Sequence, residues 1–317
     1  MKLILPTTIA DSLTPQLNAQ YDGLEVVWAS EAGDVAGDIA DAEIFVSDPD
    51  FNRKAHRRVL ESAPALRWYH SASAGVDHLV ADLRSRDIRL TNSAGVFAGP
   101  IAETVMGYIL AQSKAFFHLR SQQSQHIWSP REDYEELADK VLLIVGAGGI
   151  GQAIARRAAA FDMRLWGSRR HPQPQPPFER VVGADAWKDL LPEAHYVVLT
   201  TPLTPETEGM LDGAALAKMR ADAYLINVGR GALILEQALV KVLQQRRIAG
   251  AALDTVVTEP LPQGSPFWEL DNVFITPHAS GLSPRNNERI AALFLDNLSR
   301  YRDGTPLRNE VDLSLAY

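Results

Sequence analysis

Cysteine is absent from this 317-residue chain. That removes disulfides, thiolate catalysis and cysteine metal sites in one step, and no other metal site is expected. Long apolar runs are missing too. No stretch approaches the roughly 20 residues of a membrane span, and the segment 3–6 is too short for the apolar region of a secretory signal. A cytoplasmic protein without membrane contact is therefore expected. Positive charge is in deficit: Lys plus Arg number 31 against 39 for Asp plus Glu, a formal charge of -8. That balance argues against nonspecific binding to nucleic acid or to an anionic membrane surface, while leaving room for a local basic pocket. No solenoid-like repeat and no low-complexity tract occurs. Only 171–177 (HPQPQPP) is biased in composition, and it reads as a surface loop.

What is present describes a globular protein, with 46% hydrophobic and 22% charged residues. The length favours two domains over one core. Short apolar segments at 2–7, 25–30, 43–47, 67–71 and 88–91 read as strands, separated by polar or helical connectors as in a parallel sheet. Residues 100–114 read as an amphipathic helix with proline in its first turn, followed by a polar, tryptophan-containing segment, 122–136. The alternation then resumes, with strands expected at 141–145, 163–167, 196–200, 223–228, 250–253 and 273–275. Helices are expected at 152–161, 213–219 and 236–244. A last helix is expected to take Ser283 as its cap and Pro284 as its first residue, and to end at Gly304 and Pro306.

The stretch 140–170, KVLLIVGAGGIGQAIARRAAAFDMRLWGSRR, carries a cofactor signal. Its apolar strand opens into Gly146-Ala147-Gly148-Gly149-Ile150-Gly151. In a dinucleotide fold Gly146 permits the tight turn, Gly148 lets backbone approach a pyrophosphate, and Gly151 lets the helix pack on the strand. N–H groups at the helix start then face the phosphates. The second strand ends in Ser168-Arg169-Arg170. About twenty residues past the glycines, an NAD site would carry a carboxylate for the ribose hydroxyls, and Arg169 stands there instead. Two guanidinium forks and a hydroxyl suit a phosphate dianion, so NADP(H) is expected to be preferred, with NAD(H) possible. The alternative is that both arginines are solvated surface charges.

Three further polar residues stand at strand ends: Arg230 in Asn227-Val228-Gly229-Arg230-Gly231, Glu259 before Pro260, and His278 in Thr276-Pro277-His278. Carboxyl ends of strands border the ligand crevice of a doubly wound sheet. Read singly, each has a structural alternative: a surface ion pair for Arg230, a turn residue for Glu259, a hydrogen-bonded structural histidine for His278.

Together, in order and spacing, these motifs resemble the D-isomer-specific 2-hydroxyacid dehydrogenase family over nearly the whole chain. The match includes Ser73-Ala74-Gly75-Val76-Asp77, Asn92 with Pro100-Ile101-Ala102-Glu103, the glycine loop, and Thr201-Pro202-Leu203-Thr204-Pro205-Glu206-Thr207. It continues through Asn227 to Gly231, Leu253-Asp254, Glu259-Pro260 and Thr276 to His278. Within the family the chain is similar to NADPH-dependent glyoxylate/hydroxypyruvate reductases, on Ser168-Arg169-Arg170, Trp166 and the short carboxyl terminus. The end at Tyr317 carries the expectation that no regulatory domain of the phosphoglycerate-dehydrogenase kind is appended.

The resemblance implies roles. Backbone N–H groups of Ala74 and Gly75, with Arg230, would hold the carboxylate of a 2-oxo acid, and Arg230 would also polarise the ketone oxygen. His278 would donate the proton, its ring oriented by Glu259. Gly149 and Ile150 would offer N–H groups to the pyrophosphate, and Asp254 would accept from the nicotinamide carboxamide. Thr201, Pro202, Thr207, Val228 and Gly229 would line the cofactor, beside Arg230 and His278. A formate dehydrogenase-like enzyme is an alternative, but by family pattern it pairs its histidine with Gln, and Glu259 argues against it. The other alternative is a non-catalytic, NAD(P)-sensing interaction protein of corepressor type, which turnover of NADPH with 2-oxo acids would exclude.

The expected architecture is α/β, with two doubly wound parallel-sheet domains. A Rossmann cofactor domain, 96–282, is inserted into a discontinuous flavodoxin-like substrate domain, 1–95 with 283–317. The helix from Pro100 and the last helix would form a hinge whose closure excludes water. A homodimer is expected from the family, with 122–136 as a candidate arm. Pocket size would depend on side chains at the mouth, such as Trp68, Trp128, Trp268 and Arg285, whose placement is not readable from spacing.

Overall fold

In the computed structural model, which describes residues 1–30, 34–35, 37–48, 53–129 and 134–313, the chain divides into two units. One is Met1–Phe97 with Ser283–Tyr317, the other Ala98–Leu282. The first runs β1 (Lys2–Pro6), α1 (Ala10–Gln20), β2 (Glu25–Ala29), β3 (Ile44–Ser47), α2 (Arg53–Ser62), β4 (Trp68–Ser71), α3 (Asp77–Leu83) and β5 (Arg89–Asn92), and ends in the helix Asn286–Arg302. Its strands are all parallel, in the order β2-β1-β3-β4-β5, the flavodoxin-like arrangement.

Side chains alternate between the faces of a strand, and here both faces are apolar. Ile4, Phe45, Tyr69 and Leu90 face Val59, Leu60, Leu79 and Leu83 of α2 and α3. Leu3, Leu5, Ile44, Val46 and Trp68 face Leu13, Leu17, Ile290, Phe294 and Leu298, from α1 and the final helix. Trp68 thus belongs to the core and not to a pocket mouth. It is fully buried, stacks on Phe294 and Tyr301 at 5.4 and 5.2 Å, and donates its indole N–H to Thr91 Oγ1 at 2.9 Å. The final helix also starts later than the sequence suggests. Arg285 occupies the cap position, while Ser283 Oγ accepts from the Arg285 N–H in the preceding turn.

The second unit runs α4 (Ala98–Ser113), α5 (Phe116–Ser124), β6 (Val141–Val145), α6 (Gly149–Ala158), β7 (Arg164–Ser168), β8 (Arg180–Val182) and β9 (Tyr196–Leu199). It continues through α7 (Gly213–Lys218), β10 (Tyr224–Asn227), α8 (Glu236–Gln244), β11 (Gly250–Leu253) and β12 (Val273–Ile275). Its parallel sheet has the order β12-β11-β10-β9-β6-β7-β8. Strand order reverses between β6 and β9, and ligands of such sheets bind beyond the carboxyl ends of the strands at that reversal. The fold class read from the sequence is the one observed, a Rossmann unit inserted into a flavodoxin-like one.

Local differences have physical reasons. Helix α6 begins at Gly149, inside the glycine loop, and close packing of Gly151 on the strand offsets the poor helix propensity of glycine. Strand β8 is three residues long, none of them buried, so it lacks the apolar run that marks its neighbours. Ala115, left-handed at φ 53°, separates α4 from α5, a helix that the sequence pattern does not signal. Of the expected arm at 122–136, residues 130–133 lie outside the described residues.

Candidate active site

The turn after β6 is anchored to the end of β7. Ser168 carbonyl accepts from the N–H groups of both Gly146 and Ala147, at 3.1 and 2.7 Å. Gly146 sits at φ 109°, and a Cβ there would lie 2.8 Å from Thr200 Oγ1. A Cβ at Gly151 would lie 2.3 Å from Gly146 O, so these two glycines are demanded by packing. Gly148 and Gly149 are not, since a Cβ on either would meet nothing within 4 Å. Gly148 caps α6 in extended conformation with no side-chain hydrogen bond, which leaves the N–H groups of the first turn without an internal acceptor. Uncapped N–H groups beside space that no protein atom fills suit a pyrophosphate, and the loop fits a dinucleotide.

At the end of β7, Ser168 is almost wholly buried. Arg169 is half-buried and donates from Nη1 to Gln175 Oε1 at 2.9 Å. Arg170 is exposed. Its charge helps to hold the Glu206 carboxyl below the usual carboxylate range, after the larger contribution of a hydrogen bond from Thr204, so Arg170 and the 201–207 turn are electrostatic neighbours. Within that turn Thr207 is a staple: its Oγ1 accepts from the Thr204 N–H at 2.8 Å and donates to Pro202 O at 2.8 Å. That hydroxyl is engaged in the loop itself. Pro202 is exposed, Thr201 half-buried.

The ends of β10, β11 and β12 bring Arg230, Glu259 and His278 into one assembly. Asn227, fully buried, accepts from the Gly229 N–H at 3.1 Å and donates to Arg230 O at 2.9 Å, which fixes the backbone that presents Arg230. Val228 is buried and its N–H pairs with Leu199 O at 3.3 Å. A Cβ on Gly229 would lie 2.7 Å from Leu233 Cδ1, and one on Gly231 would lie 2.0 Å from Val256 C. The Arg230 turn is therefore pressed against the Val256 backbone. Val256 N–H donates to Glu259 Oε1 at 3.1 Å, and Glu259 Oε2 lies 2.8 Å from His278 Nδ1. One carboxylate thus links both loops and takes Nδ1, leaving Nε2 as the ring nitrogen for chemistry. Gly231→Ala is expected to cost about 1–3 kcal/mol of stability by overpacking, read as a lower urea midpoint at unchanged slope; an unaltered midpoint contradicts the contact.

The Asp254 carboxylate is engaged with the loop after β12. Its Oδ1 accepts from Thr276 Oγ1 (2.6 Å), Ala279 N (2.9 Å) and Ser280 N (3.0 Å), and its Oδ2 from Ser280 N (3.2 Å) and Ser280 Oγ. At 2% exposure, this carboxylate is engaged in clamping the loop that carries His278. Its backbone carbonyl also accepts from the His278 N–H at 2.9 Å, and His278 is held left-handed at φ 52°. Tyr108 extends the clamp through Thr276 Oγ1 at 2.6 Å. Asn227, Gly231 and the Thr276–Ser280 donors carry no chemistry of their own; their only sequence signals are the Asn-x-Gly-Arg-Gly and Thr-Pro-His strings.

In the first unit, the loop after β4 presents Ala74 and Gly75. Asn92 donates to Ala74 O at 2.9 Å and accepts from the Ala94 N–H at 3.0 Å. Ser93 N–H donates to Ser73 O at 3.0 Å. The N–H groups of Ala74 and Gly75 make no backbone hydrogen bond among the described residues, so both donors remain available.

The chain is similar to known proteins in sequence and in fold. The family model for the D-isomer specific 2-hydroxyacid dehydrogenase, NAD binding domain, matches residues 106–280. The glyoxylate/hydroxypyruvate reductase B of Klebsiella pneumoniae is 32% identical over 321 residues, covering 98% of each chain. A D-isomer specific 2-hydroxyacid dehydrogenase of Xanthobacter autotrophicus, solved with NADPH and MES, is 28% identical and superposes with a TM-score of 0.87 over 100% of this chain and 99% of that one. An NADPH-dependent glyoxylate/hydroxypyruvate reductase of Sinorhizobium meliloti, solved with NADP and sulfate, is 26% identical with a TM-score of 0.85 over 100% and 99%.

Proposed function

The chain belongs to the D-isomer specific 2-hydroxyacid dehydrogenase family, oxidoreductases with a nicotinamide dinucleotide, and we propose that it reduces small 2-oxo acids of the glyoxylate and hydroxypyruvate type to D-2-hydroxy acids with NADPH. The observation that carries the proposal is the Arg230–Glu259–His278 assembly, in which the Glu259 carboxylate holds His278 Nδ1 at 2.8 Å. In this reading Ala98–Leu282 is the cofactor domain, and Met1–Phe97 with Ser283–Tyr317 is the substrate domain.

When bound, the reduced nicotinamide supplies the hydride to the carbonyl carbon. The chain supplies everything else. Gly149 and Ile150 N–H groups would hold the pyrophosphate, Arg169 and Arg170, beside Ser168, would hold a ribose 2′-phosphate, and Thr201, Pro202, Val228 and Gly229 would border the cofactor. Asp254 would accept from the nicotinamide carboxamide, and Thr207 would line the cofactor beside them. Arg230 anchors the substrate carboxylate, and its guanidinium also serves the carbonyl oxygen where negative charge develops. His278, as imidazolium, passes the Nε2 proton to that oxygen. The proton and the hydride together convert the carbonyl to the alcohol.

The cofactor preference is tested by Arg169→Asp. The wild type is expected to favour NADPH over NADH by at least about tenfold in kcat/KM, because a charge-assisted contact set contributes about 1.5–3 kcal/mol. The variant erases or reverses that preference, and equal use of both cofactors by the wild type contradicts it. A reductase that draws on NADPH works where that cofactor is regenerated, so we place it in the cytoplasm. No helix among the described residues is long and apolar enough to cross a membrane. The exposed Phe116, Phe117, Trp128 and Tyr134 support a homodimer that buries them.

A further inference from the structure

Gln152, Gln175 and Arg169 form a chain of hydrogen bonds that the assembly of loops described above does not need. Gln152 Nε2 donates to Pro176 O at 2.5 Å. Gln175 Nε2 donates to Gln152 Oε1 at 2.5 Å, and Arg169 Nη1 donates to Gln175 Oε1 at 2.9 Å. The direction of this chain is forced from one end. A backbone carbonyl can only accept, so the Gln152 NH₂ must face Pro176 and its oxygen must face Gln175. The Gln175 NH₂ must then face Gln152, which turns the Gln175 oxygen toward Arg169, a side chain that can only donate. No amide flip satisfies all three contacts.

The chain is also well founded. Gln152 lies in the first turns of α6, directly after Gly151. The Pro-rich loop is tied down by Phe178, whose N–H donates to Gln175 O at 3.0 Å and whose buried ring lies against Gly167 of β7, where a Cβ would sit 2.9 Å from Phe178 Cε1. Arg169 N–H in turn pairs with Val182 O at 3.0 Å. The helix that opens the pyrophosphate loop and the loop beyond β7 therefore converge on a single guanidinium.

We infer that Gln175, backed by Gln152, is a positioning residue that sets the preference for a 2′-phosphorylated adenosine by holding the Arg169 guanidinium in place before the ligand arrives. Fixing a long side chain in advance lowers the entropy lost on binding. Because the glutamine is neutral, the positive charge of Arg169 stays available to a phosphate; a carboxylate at the same position would consume it. The composition-biased loop 171–177 acquires a purpose in this way, as the carrier of the residue that aims the arginine. The inference rests on the NADPH reading above and deepens it.

The test is calorimetric binding of adenosine 2′,5′-bisphosphate and of adenosine 5′-monophosphate to the full chain, with no turnover. The wild type is expected to bind the bisphosphate at least about tenfold more tightly. Gln175→Ala lowers that ratio about three- to tenfold, the worth of one oriented hydrogen bond, with monophosphate affinity unchanged within about twofold. Gln152→Ala acts in the same direction, and Gln175→Glu brings the ratio to parity or below. In an Arg169→Ala background, Gln175→Ala has no further effect on the ratio, as a double-mutant cycle requires for coupled residues. Damage to the fold would weaken both ligands alike. If the wild type prefers the bisphosphate and both Gln175 variants keep that preference, the positioning role is overturned and the cofactor reading stands. If the wild type itself does not distinguish the two ligands, the cofactor reading fails and the positioning role fails with it.

Discussion

His278→Gln is expected to lower kcat for glyoxylate reduction by about 10²–10⁴, the usual worth of a positioned general acid, while the Kd of NADPH stays within about twofold. Glutamine occupies similar space and retains a hydrogen-bond donor, so the loss reports the missing transferable proton. The separation of effects follows from the architecture. The glycine loop stands on β6 and α6, whereas His278 stands on the loop after β12, held by the Asp254 carboxylate through Ala279 and Ser280. Nothing in the substitution touches those backbone anchors. Rapid-quench or stopped-flow measurement of the first turnover, beside fluorescence titration of NADPH, reads both quantities. A variant that keeps most of its rate makes His278 a structural residue and removes the proposed mechanism.

Arg230→Lys is expected to cost about 10²–10³ in kcat/KM for glyoxylate, comparable to loss of a preorganised donor at a developing oxyanion. The change keeps the charge and removes the planar fork, and an ammonium cannot serve a carboxylate and a carbonyl oxygen in one fixed geometry. Asn227 holds the Arg230 carbonyl through its side-chain amide at 2.9 Å, so the backbone that presents the side chain remains in place. The loss should appear in kcat as well as in KM, since only one of the two contacts strengthens in the transition state. A variant with altered KM and wild-type kcat would reduce Arg230 to a binding residue.

Much of this molecule is legible in its sequence, for identifiable reasons. Strands buried on both faces read as continuous apolar runs, and β6 with its five buried residues is unmistakable. The bounds of α8 and β12 follow from pattern alone. The glycine loop is legible because glycine is rare at such spacing, though only Gly146 and Gly151 are demanded by packing while Gly148 and Gly149 border open space. Edge strand β8 is invisible, having no buried residue. Trp68 misleads because tryptophan suits a pocket mouth and a core equally; only the stacked rings of Phe294 and Tyr301 decide between them.

The site divides along a similar line. Residues that would meet a ligand stand at strand ends, where order and spacing reveal them. Residues that hold those strand ends do not announce themselves. The hydrogen bonds from Thr276, Ala279 and Ser280 to the buried Asp254 carboxylate are of this second kind. Gly231 reads as part of a motif until the Val256 backbone is found against it. These are long-range contacts between separate strand ends, and periodicity carries no information about them.

A reductase of this kind recognises its substrate by a carboxylate beside the reacting carbonyl. Glyoxylate and acetaldehyde present similar aldehydes and differ in that anchor, so their kcat/KM values with NADPH under identical conditions test the claim most directly. Without the carboxylate, orientation is lost. Glyoxylate is expected to exceed acetaldehyde by at least about 10²-fold. Comparable values for the two would contradict a carboxylate-anchored site, and the assignment as a 2-oxo acid reductase would fall with it.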